Sequence, residues 1–215
     1  MTGRVLMCAL AVMISGCTQA VTGAPTRPVP ALDENSRSPV DVDAVLLDRS
    51  QMQALSGAGA DLTPVPGMES KVPVDIPTDQ GFLPDSFALP QECGWLFAET
   101  EVFGPDVEEF HKATYQSPRR GGLLSQAAAG YRDTSTAATA LADLTRRIDA
   151  CSDTEQGSML VGDVLATDDS VRIRPGSCGR DYQVKSVVMV EVTSCSFPDS
   201  VPELVMTNIV DNVPG

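Results

Sequence analysis

Cys178-Gly-Arg-Asp-Tyr-Gln-Val-Lys-Ser-Val-Val-Met-Val-Glu-Val-Thr-Ser-Cys195 is bounded by two cysteines that stand equally far from Ser186-Val187. Both arms read as short strands, with turn residues between them. A two-residue turn at Ser186-Val187 would pair the arms as antiparallel strands over Gly179–Lys185 and Val187–Ser194. It would also set Cys178 opposite Cys195, close enough for a bridge. The turn lacks the favoured Asn-Gly chemistry, so the register rests on the spacing of the cysteines.

Short strands precede this hairpin. Ser170–Arg174 and Met159–Ala166 are read as strands separated by turn residues. Before them, Thr134–Cys151 is the clearest helix of the chain. Ala138, Leu141, Leu144, Ile148 and Cys151 share one face at helical spacing, and Thr134 or Ser135 is placed to cap its start. Cys151 therefore points inward, where Cys93 is a candidate partner. Further back, Val107–Ser117 reads as a strand, with a helix over Asp106–Lys112 as the alternative. Pro118-Arg119-Arg120-Gly121-Gly122 is a turn, and Leu123–Tyr131 returns as a second strand. Gln91–Thr100 looks helical. Gly57–Pro90 is punctuated by proline, so Val72, Val74 and Ile76 allow only an edge strand or an extended loop. In Asp41–Ser56, Ser50 is placed to cap a short second helix that stops at Gly57. After the hairpin, Val201–Val213 closes the chain as an amphipathic helix.

The start of the chain fixes the compartment. Arg4 precedes the apolar run Val5–Ile14, which ends in Ser15-Gly16-Cys17. That is the form of a secretory signal peptide over residues 1–16, and its end resembles a lipobox. The run is far short of the ~20 apolar residues needed to span hydrocarbon. The resemblance implies lipidation of Cys17 and attachment to the outer face of the cytoplasmic membrane through that lipid. Residues 17–40, with Pro25, Pro28, Pro30 and Pro39, form an extended tether, and the domain follows from residue 41 to residue 215. Cys8 leaves with the signal. Cys93, Cys151, Cys178 and Cys195 remain, an even count that signals disulfides in an exported domain, with three possible connectivities. Pairing Cys93 with Cys151 and Cys178 with Cys195 is the most economical.

Charge narrows the partners. The formal net charge is -14. Removal of the signal takes away Arg4 and no acid. Nucleic acid is therefore excluded as a partner, because its phosphates call for Lys and Arg. No catalytic constellation is present. His111 is the single histidine and reads as a surface residue among Glu108, Glu109 and Lys112. A Ser-His-Asp arrangement lacks partners for it. Glu108-Glu109 and Asp168-Asp169 read as solvated acids in an acidic chain. No Cys-x-x-Cys spacing points to zinc, and no Gly-x-x-x-x-Gly-Lys pattern points to phosphate. No enzyme activity, metal or cofactor is expected.

From about Asp41 to Gly215 the chain resembles the PknH-like extracellular sensor-domain family. The matching features are Leu46-Leu47 before a short helix ending at Gly57, Pro90-x-Glu-Cys93, and a helix ending in Cys151. Cys178-Gly-Arg180, a strand closing on Cys195 and a last helix ending Val213-Pro214 complete the series. Two departures are visible: Leu144 or Arg147 stands where a tryptophan is common, and the hairpin between Cys178 and Cys195 is short. The resemblance implies an α+β fold, with a twisted, mainly antiparallel sheet, packed helices and two disulfides paired as above. It also implies a domain that forms the outer part of a receptor kinase or stands alone on lipoproteins, with a cleft for an unidentified ligand.

Polar-tipped residues on the expected elements are the candidates for that cleft: Trp95, Tyr115, Gln126, Tyr131, Arg180 and Tyr182. Arg180 and Tyr182 share a strand face. The plainer expectation for that pair is Tyr182 in the core and Arg180 beside an acid. Two functions follow as expectations. One is a lipid-anchored, non-enzymatic sensor domain for a small molecule or envelope ligand. The other is an interaction module that docks on an envelope or membrane protein, which an exposed apolar patch would favour over a pocket.

Overall fold

The structure is a computed structural model that describes residues 36–77 and 89–215. The signal peptide, Cys17 and most of the tether lie outside the described residues.

Two short helices open the domain, α1 (Val42–Val45) and α2 (Arg49–Ser56). Asp48 caps α2 by accepting from Gln51 N at 2.9 Å, and Gln51 Oε1 accepts from Asp48 N at 2.8 Å. This reciprocal box satisfies two otherwise orphaned donors. Ser50, the expected cap, lies inside the helix and donates its hydroxyl to Asp48 at 2.6 Å. Gly57 ends α2 with φ 63°, a backbone that glycine adopts without a Cβ penalty. A two-residue strand β1 (Thr63–Pro64) follows.

The segment expected to be one helix from Gln91 is two pieces. A 3-10 run covers Gln91–Phe97 and α3 covers Glu99–Phe103. Ala98 between them is extended and bridges to Asp75, which breaks the helical path. The expected hairpin is β2 (Glu109–Ser117) and β3 (Gly122–Gly130). The long helix α4 spans Thr134–Ser152. Its cap is Asp133, one residue before the expected position, which accepts from Thr136 N at 2.8 Å. Its buried face is Ala137, Leu141, Leu144, Ile148 and Cys151, so Ala137 takes the place expected for Ala138, which is exposed.

One expected strand is corrected outright. Met159–Ala166 is not a single strand: α5 covers Glu155–Val161, and only β4 (Asp163–Ala166) is extended. Thr154 caps α5 by accepting from Gly157 N at 2.9 Å. Gly157 lets α5 fold back on the end of α4, because a Cβ there would lie 1.8 Å from the Cys151 carbonyl oxygen. β5 (Ser170–Arg174), β6 (Cys178–Lys185), β7 (Val188–Cys195) and the closing helix α6 (Ser200–Asn212) complete the order.

The seven strands form one antiparallel open sheet in the order β1-β2-β3-β7-β6-β5-β4. The hairpin β2–β3 comes first. The helices α4 and α5 then carry the chain to the far edge. From there β4 to β7 run back as a meander, and β7 closes the sheet against β3. Around the last turn Lys185 pairs with Val188 and Cys178 with Cys195, the register that the cysteine spacing requires. Ser186 takes φ 55° in that turn.

Side chains alternate between the two faces of the sheet. On one face Tyr115, Leu124, Ala128, Val188, Val190 and Val192 pack with α1, α2 and α6. On the other, Phe110, Ala127, Ala129, Met189, Tyr182 and Ile173 pack with Trp95, α3, α4 and α5. The Cys93–Cys151 disulfide ties the 3-10 run to the end of α4, and both cysteines are fully buried. Cys178–Cys195 joins the open ends of β6 and β7.

Candidate functional site

The second face of the sheet is only partly covered. Helices α4 and α5 fill one half with apolar side chains. In the other half the residues that face the same way are Lys112 and Thr114 on β2, Leu123 and Ser125 on β3, Glu191 and Thr193 on β7, and Arg180 on β6. These line the floor of a cleft of about 150 Å³. The register explains their meeting: Ser125 and Arg180 both pair with Thr193, and Thr114 pairs with Ser125.

The roof comes from the 3-10 run and α3, with Trp95, Leu96, Phe97, Glu99 and Val102. The mouth is apolar and is formed by Met68, Val74 and Ile76, which also line an adjoining recess of about 180 Å³. The mouth strand is fastened to the roof. Val74 N donates to Glu99 at 2.8 Å, Ile76 N donates to Phe97 O at 2.7 Å, and Thr100 Oγ1 donates to Asp75 at 2.7 Å. The cleft is therefore amphipathic, with a charged floor and a greasy entrance.

The charges within it balance. Lys112 is bonded to Glu99. Glu191 is 6% exposed and accepts from Thr193 Oγ1 at 2.6 Å. Arg180 donates to Leu96 O at 3.1 Å, and among the described residues it makes no ion pair. Burial works against the charge on Arg180, but Tyr182 and Glu191 outweigh it and hold the pKa above the ordinary arginine value. Burial, and then Glu191, pushes the Tyr182 hydroxyl well above the usual phenol range. Among the described residues Trp95 Nε1 is buried without a hydrogen-bond partner, and the Tyr182 hydroxyl has only the neighbouring Arg180 guanidinium to turn to. Buried donors are rarely left so without a reason.

The six residues proposed from the sequence do not form one site. Trp95 and Arg180 share this cleft. Tyr182 sits beneath it in the core, and Arg180 faces Leu96 where an acid was expected. Tyr115 and Gln126 lie on the opposite face, in a recess of about 350 Å³. Gln126 is committed there: it donates to Leu47 O at 2.7 Å and accepts from Leu47 N at 3.0 Å. Tyr131 is buried elsewhere and donates to Phe103 O at 2.7 Å. All three thus lie away from this cleft: Tyr115 and Gln126 line the recess on the opposite face, and Tyr131 lines another of about 130 Å³. The residues missed from the sequence are Lys112, Glu99, Glu191 and Thr193. A signal for two of them existed: Glu191 and Thr193 interrupt an apolar run at alternate positions, which puts two polar groups on one face of a strand that reads as buried.

His111 departs from the surface reading. It is half-buried, with Nδ1 2.9 Å from Asp43 Oδ1 and Nε2 3.2 Å from Glu69 Oε1, and so links α1, β2 and the segment after β1. Glu108-Glu109 stands at the start of β2, and Asp168-Asp169 lies in the turn between β4 and β5, so the acid pairs are far apart in the sheet. Among the described residues no group of three or more His, Cys, Asp or Glu is placed to hold a metal ion.

The comparisons with known proteins agree with this architecture. The family described as the PknH-like extracellular domain matches residues 38–213. Among solved structures, the extracellular domain of PknH from Mycobacterium tuberculosis is similar at a TM-score of 0.56 and 16% identity, over 79% of this chain and 92% of that one. Curated proteins give no match. With a family match that spans every element from α1 to α6, the chain belongs to the PknH-like extracellular domain family.

Proposed function

We propose that the protein is a lipid-anchored envelope lipoprotein whose domain binds a ligand in the cleft between the charged sheet face and the Trp95 roof. The observation that carries this reading is the cleft itself: charged and hydroxyl side chains on an enclosed floor, with an apolar entrance. Binding sites combine apolar walls with a few convergent polar groups in this way. Membership of an extracellular sensor-type family supports the same reading. Catalysis is not proposed: the hydroxyl–carboxylate contact in the cleft, Thr193 Oγ1 on Glu191, has no histidine beside it among the described residues. Cys17 is the proposed anchor, and residues 17–40 give the domain reach from the membrane.

Trp95 is the only tryptophan, so its fluorescence reports on the roof alone. Fractions of an envelope extract should change that emission in the parent chain. The change should vanish in Thr193→Phe, which fills the floor. An extract that never alters Trp95, or alters both chains equally, would remove the cleft from the proposal.

A second reading has one observation in its favour. Met68, Val72, Val74 and Ile76 are exposed at the mouth, Val72 by 63%. Such a row suits a docking protein. Crosslinking in intact cells separates the two, since a docking module gives a reproducible protein partner and a small-molecule site does not.

A further inference from the structure

We infer that the cleft takes a neutral, hydroxyl-rich group, such as a sugar ring or polyol, and selects it against ions of either sign. This rests on the reading of the cleft as a ligand site. Four charged side chains line the cavity, and they cancel in pairs of opposite sign: Lys112 and Arg180 against Glu99 and Glu191. An ion of either sign meets attraction from two of these side chains and repulsion from the other two, so the cavity offers it no net charge to pair with.

What is left unsatisfied is a mixed set. Arg180 carries five N–H donors and uses one on Leu96 O among the described residues. The Glu191 carboxylate, which has about four acceptor positions, receives one bond among the described residues, from Thr193. Trp95 Nε1 is a buried donor without an acceptor among the described residues. Spare donors and spare acceptors that face one small space are matched by a group that both accepts and donates. A hydroxyl does this, and vicinal hydroxyls do it twice. The apolar entrance of Met68, Val74 and Ile76 then suits an aliphatic portion attached to the polar group.

The test follows the single Trp95 indole 1H–15N resonance of the purified chain through titrations. The probes are glucose, mannose, galactose, arabinose, trehalose and myo-inositol. Inorganic phosphate and choline are the charged controls, and sodium decanoate is the apolar control. At least one neutral probe should give a saturating shift, and phosphate and choline should give none. Glu191→Gln should weaken that binding by about tenfold or more, as loss of a charged hydrogen bond does, with the unfolding midpoint measured alongside to show that the domain stays folded. Saturating shifts with phosphate, choline or decanoate and none with the neutral probes would overturn the ligand class while leaving a binding cleft. Silence with every probe would overturn the class and the cleft together.

Discussion

Gln126 holds Leu47 as a neighbouring strand would, with its side-chain amide closing both backbone bonds. Gln126→Leu should cost about 2–4 kcal/mol, because a buried N–H and a buried C=O both lose their partner. Urea unfolding measures this, and a loss well below ~1 kcal/mol would show that water replaces the amide. Asp133 makes a different prediction, set by pH. The Ser135 hydroxyl, then the Thr136 N–H and hydroxyl, pull its carboxyl from 3.8 to about 2. A folded-state value below the unfolded one stabilises the protein above the unfolded value. That contribution is lost as pH falls through the folded one. Asp133→Ala should therefore melt earlier at pH 7, and the gap should close as pH falls from about 4 to about 2. A gap that stays constant across that range would mean that the carboxylate charge is not what caps α4. Neither role was legible in the sequence. Asp133, Thr134 and Ser135 are all good caps in a row, and helix ends are known only to within a residue or two. Gln126 in an alanine-rich strand looks like a ligand contact until Leu47, between α1 and α2, comes near.

At the scale of elements, α5 is where sequence patterning failed. Met159-Leu160-Val161 is apolar and short, and such a run does not distinguish strand from helix by period. Gly157 was the overlooked sign. Its missing Cβ lets α5 press on the Cys151 carbonyl, and Gly157→Ala should destabilise the domain by about 1–3 kcal/mol through that overlap. A neutral result in thermal unfolding would mean that α5 can move away from α4. The β6–β7 hairpin was legible because its two cysteines fix the register without help from the turn. The disulfides act on different loops. Their separations of 58 and 17 residues give about 4 and about 3 kcal/mol on the chain-entropy estimate. Replacing Cys93 and Cys151 by Ala should thus lower stability more than replacing Cys178 and Cys195. The reverse order in denaturant unfolding would show that packing outweighs loop length.

In the domain as a whole, the sheet is closed by a pairing between strands distant in sequence. The crossover through α4 and α5 puts β7 beside β3, and only that pairing brings Ser125, Thr193 and Arg180 together. The strands β2, β3, β5, β6 and β7 were readable in the sequence, but their order in the sheet was not, because one sequence carries no sign of which edge the meander returns to. The cleft is a product of that order, which is why single residues were guessed and the site was not. The same long-range closure places two cations and two carboxylates in one cavity beside an apolar mouth. Native mass spectrometry of the chain after exposure to an envelope extract tests this account most directly. It should detect one small adduct at unit stoichiometry that is released on denaturation and missing from Thr193→Phe. No adduct from any extract, or the same adduct on the blocked variant, would contradict it.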